Sequence, residues 1–134
     1  MIRRTFLASI PSLALALAAD VRAARPVRRR GEHPTPRPNI DASKVLKKED
    51  LADHPDVIPL FDGVREIPQV VDGIRCYCGC DERPESYSLL SCYEDGMARH
   101  CYVCQGEGKL VARLNGEGKS LEEIRAAIDL EFGD

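Results

Sequence analysis

Six cysteines fall within 29 residues of this chain, in the pattern Cys76-x-Cys78-x-Cys80-x11-Cys92-x8-Cys101-x2-Cys104, and there are none elsewhere. A packed core uses buried thiols as small apolar side chains, but it has no need of so many so close together; disulfides and thiolate metal sites do. The 134 residues hold no Trp, three Phe and four Tyr. A core that small leaves stability to be supplied by sulfur cross-links or a bound ion. The expected fold is mainly α, a small cysteine-rich domain of short helices around a Cys-x-Cys-x-Cys loop and a Cys-x-x-Cys helix.

The amino terminus reads as an export signal over residues 1–23. Arg3-Arg4 precede Thr5-Phe6-Leu7 and a mostly apolar stretch from Ala8 to Ala19, which is short for a membrane span and is interrupted by Pro11. Small-residue cleavage sites end at Ala18 and Ala23. The Arg-Arg-Thr-Phe-Leu run is similar to the twin-arginine consensus, a route for proteins that fold, often with a cofactor installed, before export; a Sec signal with two basic residues is the alternative. The mature chain is thus expected to be periplasmic or otherwise extracytoplasmic. No cysteine lies near the cleavage sites to carry a lipid anchor, and no transmembrane segment is expected after cleavage.

Residues 24–40 contain Pro26, Pro34, Pro36 and Pro38 and the run Arg28-Arg29-Arg30. With helix prevented and little to bury, they read as a disordered Arg/Pro-rich linker to a domain over 41–134. Charge divides at the same place. Five arginines stand against Glu32 over residues 24–38, whereas from residue 39 onward 11 basic side chains face 20 acidic ones. An acidic domain is a poor binder of phosphate backbones and suits cations, so nucleic acid is not an expected partner.

Within the domain, Asp41 is placed to cap a short helix carrying Val45, Leu46 and Leu51. The His54-Pro55 and Ile58-Pro59 pairs predict an extended connection from Val57 to Phe61. A short helix with Pro68 at its first position leads to Gly73, and Glu85 to Tyr93 reads as a helical turn or two. Met97, Cys101, Cys104, Gly108 and Val111 recur at helical spacing, which places Cys101 and Cys104 on one inward stripe of a helix beginning near Asp95. Gly106 and Gly108 each cost about 1 kcal/mol in a helix interior, and close packing against the cysteine loop would account for them. The last helix is marked by Ser120 and Glu123 as a capping box, by Leu121, Ile124, Ile128 and Phe132 as its apolar face, and by Gly133 as its stop.

The cysteines themselves offer several chemistries. In an extended segment Cys76, Cys78 and Cys80 point to one side, a three-pronged ligand; Cys101 and Cys104 form a second prong, and Cys92 adds a sixth sulfur. Thiolates select Cu(I), Zn(II) or an iron–sulfur cluster. Structural zinc takes four tetrahedral ligands and leaves two thiols over, whereas Cu(I) takes two or three sulfurs per ion and tolerates bridging, so that all six can be used. An iron–sulfur cluster takes four cysteines, and the triple alternation matches none of its usual spacings. His100 is a further candidate ligand beside Cys101, and Met97 a thioether or a core filler. His33 and His54 fall in expected linker segments. The alternative is three disulfides in a small secreted domain, bridging the triplet to Cys92, Cys101 and Cys104 because adjacent members of the triplet would form a strained ring. Thiol–disulfide exchange is the one enzymatic option, since the chain shows no hydrolase nucleophile motif and no phosphate loop.

Arg75-Cys76-Tyr77-Cys78-Gly79-Cys80 resembles the signature of the bacterial proteins named for a PCYCGC motif, which are exported or lipid-anchored. Cys92-Tyr93, the His100-to-Gln105 stretch and the Gly118-to-Asp129 helix are also similar to that family, so that the likeness runs over about half the chain, from Ile67 to Phe132. Arg75 stands where the family has Pro, the lipobox cysteine is absent, and no His lies between Cys80 and Cys92. The resemblance implies a location outside the cytoplasm and a cysteine pattern, and it carries no activity with it. The expectation is an exported protein that binds a soft metal ion, Cu(I) ahead of Zn(II), for sequestration, delivery or homeostasis. Its partners would be the ion and an extracytoplasmic metalloprotein or membrane transporter. The competing reading is a disulfide-stapled interaction domain.

Overall fold

The computed structural model describes residues 31–133; the expected signal segment and residues 24–30 of the expected linker lie outside the described residues. Five helices follow in order: α1 (Ile58–Glu66), α2 (Pro68–Val71), α3 (Leu89–Glu94), α4 (Tyr102–Gly116) and α5 (Leu121–Phe132). Short 3₁₀ turns at Lys48–Leu51, Pro55–Val57, Cys80–Glu82 and Met97–Arg99 join them, and among the described residues there is no strand. The mainly α, cysteine-centred fold is as expected. Among the described residues no helix is long and apolar enough to cross a membrane.

Helix α4 is the hub, and α1, α2, α3 and α5 all pack on it. Its buried face, Cys104, Gly108, Val111 and Leu114, meets Phe61 and Val64 of α1, Leu89, Leu90 and Tyr93 of α3, and Ile124 and Ile128 of α5, which share one core. The Phe61 and Tyr93 rings meet edge-on at 4.8 Å between centroids, the arrangement favoured by the aromatic quadrupole. Helix α5 starts as its capping box predicts, with Ser120 Oγ accepting from the Glu123 amide at 3.2 Å and Glu123 Oε2 accepting from the Ser120 amide at 2.8 Å.

Three expectations are corrected. The Val57-to-Phe61 connection is helical, because Pro59 falls in the first turn of α1, where no backbone donor is needed, and the helix then buries Phe61 and Val64. The helix expected after Asp41 shrinks to the 3₁₀ turn at Lys48–Leu51. Asp41 Oδ1 accepts instead from the Ser43 amide, and Leu46 gives its N–H to the Tyr93 carbonyl at 3.1 Å, while Val45 and Leu51 are buried as expected.

The third correction concerns the linker. Residues 33–37 lie against the domain, held by tertiary hydrogen bonds that local composition does not reveal. His33 Nδ1 accepts from the Arg75 amide at 3.0 Å, and its other ring nitrogen lies 2.8 Å from Asp129 Oδ1. The Pro34 carbonyl accepts from Arg125 at 2.7 Å. Arg37 engages the fully buried Asp72 through both its backbone and its side chain at 2.7 Å, and Ser88 Oγ donates to the same carboxylate at 2.6 Å.

Candidate metal centre

The cysteine loop is built from a turn. After buried Ile74 the chain reaches Cys76, turns over Tyr77 to Gly79, and enters the 3₁₀ turn at Cys80. Gly79 has φ +84° and nothing within 4 Å of where a Cβ would sit, so its backbone conformation is the reason for glycine there. The three sulfurs converge because this turn wraps them together; the extended segment expected from the alternation does not form. Cys76 and Cys78 sulfurs are 3.3 Å apart, and those of Cys78 and Cys80 2.8 Å. Cys92, from α3, reaches Cys80 at 3.1 Å, and Cys104, in the first turn of α4, reaches Cys76 at 3.5 Å. All five sulfurs lie within 4.8 Å of one another. Four of these cysteines are buried and Cys78 is half-buried.

The sixth cysteine stands outside this group, a correction to the expected six-sulfur site. Helix α4 begins at Tyr102, and Cys101 is its N-cap with extended backbone angles, φ −95° and ψ 109°. Cys101 and Cys104 therefore do not share a helical stripe. His100 is likewise outside the group; it is exposed, and its ring packs edge-on against His54 at 4.5 Å. Met97, 39 % exposed, neither joins the sulfurs nor fills the core.

Around the sulfurs the packing is close. The Tyr93 hydroxyl donates to the Cys104 carbonyl at 2.7 Å, and a Cβ on Gly108 would come within 1.9 Å of that hydroxyl oxygen. Gly108 is thus required by contact with Tyr93 of α3, and Gly106 lies against the Phe132 ring. The Arg75 guanidinium covers the Tyr77 ring at 4.5 Å from its centroid and pairs with Asp81 at 3.0 Å. The Tyr77 hydroxyl donates to Asp129 of α5 at 2.5 Å.

Sequence reasoning missed Glu107. It is fully buried on α4. Its Oε1 accepts from the Tyr77 amide at 2.7 Å, between Cys76 and Cys78, and its Oε2 has no hydrogen-bond partner among the described residues. Burial pushes its carboxyl up to about 7, while the nearby Cys76 thiol and the Tyr77 amide pull it down. The signal available in the sequence was its place three residues after Cys104, one helical turn along the same face.

Five sulfurs this close cannot all be ionised without a cation, so in the metal-free cluster they share protons. Hydrogen bonds from Cys104 and Cys76 hold Cys78 and Cys80 well below the usual thiol range. Hydrogen bonding to Cys104 and Cys78 raises Cys76 in turn. A cation removes this conflict by compensating several thiolates at once. Tetrahedral zinc, with bonds of about 2.3 Å to sulfur, needs sulfurs spaced by about 3.8 Å, within reach of the observed separations. The cluster can therefore hold a metal ion. Comparison with protein-family models, with curated proteins and with solved structures finds no match for this chain.

Proposed function

We propose that this protein acts outside the cytoplasm as a soft-metal binder, taking Cu(I) ahead of Zn(II) through Cys76, Cys78, Cys80, Cys92 and Cys104 for sequestration, delivery or homeostasis. The observation that carries this reading is the convergence of five sulfurs, from the turn, α3 and α4, within 4.8 Å. Ordering that many thiols in one place costs conformational freedom and thiolate repulsion, and a bound ion offsets both. Cu(I) leads because sulfurs that touch in series, from Cys104 through Cys76, Cys78 and Cys80 to Cys92, suit bridging between ions. Zn(II) takes four ligands and so leaves part of the group unused, and an iron–sulfur cluster ranks behind both. Export, the resemblance to the PCYCGC family, and handover to a metalloprotein or transporter belong to the same reading.

A framework of three disulfides is disfavoured by the position of Cys101. It would have to pair with a group it stands outside, and the remaining five sulfurs form two bridges at most. The test is anaerobic titration of the reduced protein with Cu(I) and with Zn(II) against a competing chelator. Saturable binding that falls in Cys78→Ser or Cys104→Ser and persists in Cys101→Ser is the expected result; binding no tighter than that of the unfolded chain overturns the reading.

A further inference from the structure

The metal reading rests on sulfur, yet one oxygen donor is built into the same wall. Glu107 is fully buried, and its position is set by the 2.7 Å bond that Oε1 accepts from the Tyr77 amide, in the middle of the Cys76–Cys78 turn. The second carboxylate oxygen, Oε2, is buried with no hydrogen-bond partner among the described residues, and the Cys76 thiol lies near enough to the carboxyl to influence it. A buried carboxylate oxygen left without a partner costs about 1–3 kcal/mol or more, and a cation held by the adjacent sulfurs would relieve it. The neighbours are suitably placed, since Cys76 lies 3.3 Å from Cys78 and 3.5 Å from Cys104.

We propose that Glu107 is the residue by which this centre distinguishes its ions: Oε2 ligates Zn(II) together with Cys76, Cys78 and Cys104, and takes no part in binding Cu(I). The inference deepens the metal-binding reading and rests on it. Its chemical basis is ligand softness. Zn(II) accepts carboxylate oxygen alongside thiolate in four-coordinate sites, whereas Cu(I) is selected by thiolate and thioether. Three sulfurs and one oxygen complete a tetrahedron for Zn(II) while Cys80 and Cys92 stay free. Copper, bridging between sulfurs, has no use for the oxygen.

The test compares the full chain with Glu107→Gln, which keeps an oxygen to accept from the Tyr77 amide and removes the anionic donor. Zn(II) and Cu(I) affinities are measured separately by chelator competition. The expected result is a loss of about 10- to 100-fold in Zn(II) affinity with Cu(I) affinity changed by less than about threefold. X-ray absorption of Zn(II)-loaded wild-type protein provides a readout independent of the variant's folding. It should show one oxygen at about 2.0 Å beside sulfurs at about 2.3 Å. An all-sulfur zinc shell, or equal losses for both ions in the variant, overturns the role of Glu107 while leaving the metal-binding reading intact. Failure of the wild-type protein to bind either ion overturns both.

Discussion

The hydroxyl of Tyr93 donates to the backbone carbonyl of Cys104 at 2.7 Å, joining the helix that carries Cys92 to the one that carries Cys104. Both side chains are fully buried. The bond fixes the first turn of α4 against α3, and it does so through space that only glycine at position 108 leaves open, since a Cβ there would lie 1.9 Å from the Tyr93 oxygen. Two of the three chain segments that supply sulfur are registered by this contact before any ion binds.

Gly108→Ala therefore destabilises the protein, although the same change in an ordinary helix interior would stabilise it by about 1 kcal/mol. Overpacking of this kind costs about 1–3 kcal/mol. Chemical denaturation measures it, and Tyr93→Phe combined with Gly108→Ala should recover part of the loss, because the clashing oxygen is gone.

The segment at residues 33–37 contributes to stability through Asp72. Arg37→Met leaves a fully buried carboxylate without its cation, a defect of about 3 kcal/mol, whereas Ser88→Ala removes one hydrogen bond and costs about 1 kcal/mol. Denaturation midpoints check both. Zinc and copper stoichiometry should be unchanged in each variant, since neither residue belongs to the sulfur group.

Metal loading raises thermal stability and releases protons. At a thousandfold excess of free ion over Kd the folded state gains about 4 kcal/mol, which for a domain of this size raises Tm by an amount on the order of 20 °C. A chelator reverses the shift. Cys76 is held above the usual thiol range by its neighbours, so binding must displace its proton. Affinity consequently falls as pH falls, a dependence that competition titrations across a pH series would measure.

Much of the scaffold was legible in the sequence because it is written in local signals. Ser120 and Glu123 sit at capping distance, and the Ile124 and Ile128 periodicity states which face of α5 is buried. The site was legible in composition but less so in geometry. Cys101 and Cys104 have helical spacing, yet the helix starts between them, and a shift of one N-cap residue removes one thiol from the stripe. The convergence of Cys76, Cys78 and Cys80 depends on a turn at Gly79 that an alternating pattern disguises as a strand. Glu107 has the appearance of a surface helix residue, and only the approach of the Tyr77 amide, 30 residues away in sequence, reveals it as buried. The Pro-rich residues 33–37 read as linker for the same reason: the partners of His33 and Arg37, at Arg75, Asp129 and Asp72, are distant in the chain.

The most direct measurement is made on the protein purified without added metal or reductant, with bound metals, free thiols and intact mass determined on one sample. The account predicts near-stoichiometric copper or zinc, with Cys101 reacting before chelation and Cys76, Cys78 and Cys104 reacting only after it. A metal-free protein six hydrogens lighter than its fully reduced mass would mean three disulfides and would contradict it.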